Sequence, residues 1–96
     1  MRYNFEWDPN KAKSNTKKHG VSFENAAEVF LDELQLSVLD NEHSKIEERW
    51  VTLGKSASGT LLIVVHTFSE HKDGATIRII SARRATRQEQ YQYEES

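Results

Sequence analysis

The chain contains no cysteine, which removes disulfides and thiolate metal sites and suits a reducing cytosol. It has one proline and four glycines, and the glycines form no phosphate-cradling loop. No serine stands in the spacing of a nucleophile elbow. Long apolar runs are missing too: the longest, Leu61–Val65, is far short of the ~20 residues of a membrane-spanning helix. The opening stretch MRYNFEWDPNKAK holds no apolar run of the kind a signal peptide needs, so a cytoplasmic protein without membrane contact is expected. Positive charge is not in excess either. There are 13 Lys+Arg against 15 Asp+Glu, a formal net charge of −2. Such a chain is drawn to long nucleic acid less strongly than one with an evenly basic surface.

What is present is unevenly placed. With 96 residues, 36% hydrophobic and 29% charged, the composition is that of one soluble domain over residues 1–96 with a modest core. Lys11, Lys13, Lys17 and Lys18 form one cationic block, with no acid between Pro9 and Phe23. Arg78, Arg83, Arg84 and Arg87 form a second, so eight of the 13 cations lie in two short segments. Glu24 to Glu48 carries eight acids against Lys45 alone. Concentrated arginines suit an anion, phosphate above all. The planar guanidinium grips two oxygens at once and keeps its charge near neutral pH.

Local patterns give the order β-α-α-β-β-β-β-α. Tyr3–Trp7 alternates aromatic and polar residues as a short strand. Asp8-Pro9 opens a helix that Gly20 closes after His19, although Ala12 is its sole apolar residue. Ser22 opens a second helix, with Phe23, Ala26, Ala27 and Phe30 on one face, reaching Leu31–Asp32. Val21 and Ala26 can pack across its first turn. Strands follow from Leu34, through Leu36 and Val38, to near Asp40-Asn41, and at Arg49–Leu53, Thr60–Phe68 and Thr76–Ala82, the last two joined by SEHKDGA. Thr86 and Glu89 form a capping box for a helix from Arg87 to Glu95. The class is α+β, a compact antiparallel sheet with helices packed on one face, leaving the other face open for a site.

Several side chains can carry chemistry. If Phe68 pairs with Thr76, His66 lies opposite Arg78, and an imidazole that moves protons stands beside a guanidinium that holds phosphate. The plain alternative is a structural histidine and a solvated arginine. His19 ends the first helix, either as a functional imidazole or as a group that complements the negative helix end. Arg49 follows two glutamates and can pair with an acid. Arg83 and Arg84 precede a helix N-terminus and form an anion pocket, or else pair with the acidic stretch. His43 and Glu47 stand four apart without a third ligand, which argues against a metal site. His71 lies in a polar loop, and Tyr91 and Tyr93 suit packing of the last helix.

Together, FEWDPNKAKSNTKKHGVSFENAAEVF, DNEHSKIEERWVTLGKSASGTLLIVVHT and IRIISARRATRQEQYQYEE resemble the BrnT family of toxins from type II toxin–antitoxin systems. The resemblance runs from about Phe5 to Glu95, in the family's order. It implies a RelE-like fold and a small metal-independent ribonuclease without cofactors, which cleaves RNA and blocks translation. It implies a BrnA-like ribbon-helix-helix antitoxin, joined with the toxin in a heterotetramer, through which alone the toxin meets operator DNA. Carried over residue by residue, the catalytic set is His19 of KHG, Arg49 of EERW, and Arg78 and Arg83 of RIISARRA, with Lys18 and His66 beside them. Arg84, Lys17 and Arg87 are the expected substrate-binding cations. The competing reading is a non-enzymatic module whose cationic face docks an acidic protein. A DNA-binding regulator is disfavoured, because no basic helix-turn-helix arrangement is present.

Overall fold

The computed structural model describes residues 2–43 and 47–96, with the side chain of His43 outside the described residues, as is any pairing of His43 with Glu47. The strands are β1 (Tyr3–Glu6), β2 (Leu36–Asp40), β3 (Arg49–Lys55), β4 (Leu61–His66), β5 (Ser69–His71) and β6 (Gly74–Arg84). The helices are α1 (Pro9–His19), α2 (Phe23–Ala27) and α3 (Arg87–Glu95). The expected second helix is shorter than its apolar period suggests. After Ala27 it tightens into a 3-10 turn, Glu28–Leu31, as helix C-termini often do.

One six-stranded sheet runs in the order β1-β6-β4-β3-β2, with β5 also paired to β6. The expectation of a wholly antiparallel sheet needs correction: β1 lies parallel to β6, Tyr3 opposite Ala75 and Glu6 opposite Arg78. The two helices carry the chain from β1 at one edge of the sheet to β2 at the other, and the antiparallel strands then lead back until β6 lies alongside β1. The polar segment expected as a loop contributes β5, so the strands among the described residues number six rather than five. Gly74 turns this hairpin at φ 144°, and a Cβ there would stand 2.0 Å from the Arg2 carbonyl oxygen. That carbonyl accepts the Ala75 amide at 2.8 Å, so glycine is what lets β1 come alongside.

Both predicted caps of α1 are present. The Asp8 carboxylate accepts the Asn10 amide at 2.8 Å, and Gly20 closes the helix at φ 70°. The helix is held by a polar residue. Asn15 is buried, donating through Nδ2 to the Ala82 carbonyl at 2.8 Å and accepting the Ala82 amide at 3.0 Å. Its amide thus does what a strand residue would do along β6 beyond the end of β1. It also donates to the Val21 carbonyl at 3.0 Å, tying α1 to the start of α2.

The helices do not share one face, which is a second correction. Phe23, Ala26, Val29 and Phe30 pack with Leu62, Val64, Ile77, Ile79 and Ala82 on the inner face. Tyr93 of α3 packs with Leu53 and Ile63, whose side chains point the other way, to the outer face. Its hydroxyl donates to Asp32 Oδ2 at 2.6 Å, which draws α3 over the β3 end of that face. The carboxylate also accepts the amides of Lys55 and Leu34. Burial pushes Asp32 upward, but these three hydrogen bonds outweigh it and hold its pKa below the usual value. The hydrogen bond to Asp32, with burial, pushes Tyr93 up to about 12.

Candidate active site

Alternation along the strands decides which cations meet. Leu53, Ile63 and Arg83 are in register on the outer face, as are Val51, Val65 and Ser81 one row away. Arg49 continues this face of β3. Arg78 lies between inward Ile77 and Ile79, so it too points outward. Arg49, Arg78 and Arg83 therefore share the outer face, spread over two strands.

Each of these arginines has a carboxylate beside it. Asp40 stands opposite Arg49 across the β2–β3 pairing. Glu47 Oε1 lies 4.0 Å from Arg78 Nη1, both side chains about half exposed, and Glu6 occupies the register position next to Arg78 on β1. Arg83 is held most firmly: Nη1 and Nη2 donate to Glu89 Oε1 and Oε2 at 2.8 and 2.9 Å. The guanidinium, reinforced by the Thr86 amide, lowers Glu89 to about 2, and the Glu89 hydrogen bonds raise Arg83. The same carboxylate completes the predicted capping box by accepting the Thr86 amide at 2.8 Å. The outer face is thus a lattice of cations and anions rather than a positive patch.

His66 is not beside Arg78. The hairpin register runs one residue from the expected one: Ser69 pairs with Thr76, and His66 with Ile79. The shift is set at the turn, where His71 pairs with Gly74, and holds as far as His66; the bulge between Val65 and His66 lies beyond it. One residue of slip exchanges faces, so His66 points inward, only 3% exposed, with its ring edge-on to Phe30 at 4.7 Å. Its Nδ1 must donate to the Thr67 carbonyl at 2.9 Å, since a carbonyl only accepts. Nε2 meets Thr52 Oγ1 at 2.6 Å. Burial lowers the pKa of this imidazole and favours the neutral form.

The other predicted cations lie elsewhere. Lys17, Lys18 and His19 occupy the exposed last turn of α1. Arg84 is in register with inward Leu62, and with Gly20 it lines a shallow pocket of 60 Å³ on the helix side. Arg87 is the exposed first residue of α3. The two cationic blocks of the sequence therefore do not merge. The helix block joins Arg84, while the strand arginines form a separate group.

A family model described as the ribonuclease toxin BrnT of type II toxin-antitoxin systems matches residues 7–89. The chain belongs to the BrnT family. The 1.1 Å crystal structure of the Brucella abortus ribonuclease toxin BrnT is similar in fold, with a TM-score of 0.60 and 22% identity over 91% of this chain and 100% of that one. No curated protein matches the chain. Membership in BrnT makes this a ribonuclease toxin of a toxin–antitoxin pair, with RNA as the implied target and an antitoxin as the implied partner. Among the described residues, no helix is long and apolar enough to cross a membrane.

Three outer-face residues escaped the sequence reading as site neighbours. Glu89 was visible as a cap, but its second bond crosses from helix to strand, where no periodicity applies. Glu47 adjoins Arg78 only through the sheet. His71 sits opposite Gly74, two register positions beyond Ser69 and Thr76, and bonds Thr76 Oγ1 at 3.2 Å. That places an exposed imidazole on the same face as Arg78, further along the strand.

Proposed function

We propose that this chain is a metal-independent endoribonuclease that cleaves RNA by attack of the ribose 2′-hydroxyl on the adjacent phosphate. The 2′-oxygen forms the new bond to phosphorus, the 5′-oxygen leaves with a proton, and a cyclic phosphate remains. The observation that supports this most directly is the gathering of Arg49, Arg78 and Arg83 on one open sheet face in a BrnT chain. Metal-free cleavage needs cations where charge builds on the phosphoryl oxygens, and guanidinium groups supply them without titrating.

In this reading Arg49 and Arg78 hold the phosphate, which takes the place of the carboxylates beside them. Arg83 is committed to Glu89 and positions the start of α3; it reaches substrate only by giving up that pair. His71, the exposed imidazole on the arginine face, supplies proton transfer, while His19, Lys17 and Lys18 on the helix side, with Arg84 and Arg87, guide the RNA backbone. His66 faces away from the arginines and has no part in the reaction. The toxin is neutralised in the cytoplasm by a BrnA-like ribbon-helix-helix antitoxin in a heterotetramer, and operator DNA is contacted through the antitoxin.

The test is induction of the chain alone in a bacterial host, then with its antitoxin. Growth arrest with RNA fragments bearing 5′-hydroxyl ends, made in chelator-treated extracts and suppressed by the antitoxin, is the expected result. Intact RNA and normal growth would sink the proposal and return the face to a role in docking an acidic protein.

A further inference from the structure

Behind the arginines, on the inner face, lies an open cleft of 280 Å³. Tyr3, Trp50 and Phe68 wall it, Gln35 and Ser37 stand at its polar side, and His66 lines its floor. Tyr3 and Phe68 are 37% and 38% exposed, so aromatic surface faces solvent here. The volume is just under the ~300–1,000 Å³ of pockets for drug-sized ligands and suits one planar ring system.

The polarity of the cleft follows from its hydrogen bonds. His66 spends its only proton on the Thr67 carbonyl, so Nε2 accepts and the Thr52 hydroxyl must donate to it. Thr52 Oγ1, 2.7 Å from Ser37 Oγ, has no further proton to give, so Ser37 donates to Thr52. Ser37 therefore has only lone pairs left for the cleft. Gln35 commits Nε2 to the carbonyls of Phe30 and Asp32 at 3.1 and 3.2 Å, which leaves Oε1 as its other polar atom. Both polar groups present acceptors. His66 and Thr52 are 3% and 0% exposed, so this relay is fixed within the core.

The cleft also adjoins the arginine face. β2 and β3 end at Asp40 and Arg49, while β4–β5 and β6 run on. At this step Trp50, inside, follows Arg49, outside. Phe68 follows Thr67, whose amide donates to the Arg78 carbonyl at 2.9 Å. A strand crossing the step can leave its phosphates with the arginines and turn a base inward.

We infer that this cleft is a nucleobase subsite for the single-stranded RNA substrate, stacking one unpaired base between Tyr3, Trp50 and Phe68 and choosing a base that offers hydrogen-bond donors to Gln35 and Ser37. Guanine presents an N1 proton and an amino group side by side and fits best. Uracil offers one N3 proton between two carbonyls and fits worst. Every base has a stacking face, so the rings give affinity and the acceptors give choice.

The inference rests on the ribonuclease reading, and the experiment separates the two. Affinity is measured for short 2′-O-methyl oligouridylates, which cannot be cleaved by 2′-hydroxyl attack, with one central base varied. The unmodified protein is expected to bind the central-guanine strand about tenfold more tightly than the all-uridine strand. Phe68→Ala and Tyr3→Ala, both exposed and checked by thermal melting, should remove most of that gain, and Ser37→Ala should narrow the gap between guanine and uracil. Arg78→Ala should weaken all strands alike. Binding without base preference, or a preference that survives Phe68→Ala and Tyr3→Ala, overturns the subsite and leaves the ribonuclease reading standing. No binding to any strand, together with intact RNA in the host, overturns both.

Discussion

Arg83 and Glu89 face each other through two nitrogens and two oxygens, at 2.8 and 2.9 Å, across the junction of β6 and α3. One carboxylate thus secures an arginine of the proposed site and caps a helix. The pair couples the outer face to the stability of α3.

Glu89→Gln is expected to destabilise the protein by about 1 kcal/mol, combining a weakened cap with an ion pair whose arginine is 42% exposed and therefore screened. The pH dependence has a definite sign. Glu89 is held at about 2 against an ordinary 4.5, so its contribution is full above pH 4.5 and lost as pH falls toward 2. Urea midpoints of wild type and Glu89→Gln should differ most at pH 5 to 7 and converge below pH 3.

The arginine group predicts an unequal series. Arg49→Ala and Arg78→Ala should each lower RNA cleavage at least tenfold while the fold is retained. Arg84→Ala, on the opposite side of the sheet, should lower it less than threefold, by weakening RNA binding. Arg83→Ala should lose stability and activity together. Single-turnover cleavage beside urea titration distinguishes these patterns. Equal losses at Arg84 and Arg78 would break the separation into two cationic groups.

Proton transfer is assigned to His71, the imidazole on the arginine face, and the family resemblance supplies a rival in His19. His71→Ala should lower the cleavage rate ten- to a hundredfold and remove one limb of the pH–rate profile, while His19→Ala leaves the profile intact. The reverse outcome would move the role to the histidine at the end of α1.

The buried imidazole predicts a second pH effect. His66 is held neutral by burial, with its pKa below the ordinary 6.5. The unfolded chain takes up a proton there before the folded one, so stability is full above pH 6.5 and declines as pH drops below it. Urea midpoints should fall between pH 6.5 and 5 in the wild type and lose that component in His66→Gln.

How much of this was legible in the sequence depends on distance along the chain. Asp8-Pro9, Gly20 and the Thr86–Glu89 box act within a turn, and their side-chain chemistry names their place directly. The strands β3, β4 and β6 were legible as β-branched apolar runs. Parallel pairing of β1 with β6 was not, because short strands alternate alike in either direction. The outer position of α3 depends on Tyr93 meeting Asp32, two residues with no local relation. Asn15 looked like an ordinary polar helix residue until Ala82 was brought beside it. For the site, Arg49, Arg78 and Arg83 share a face as alternation allows, but the expected His66–Arg78 pair failed on a single residue of register. A two-residue turn decided it, and it leaves no mark as strong as apolar periodicity.

The pairing of Tyr3 with Ala75 has a consequence in time as well as space. β1 and α1 are synthesised well before the strand they lie against, and Arg78, Arg83 and α3 come with that strand. A half-synthesised chain has neither a closed sheet nor an arginine face. The arginine face therefore comes into being only when the sheet closes on β1.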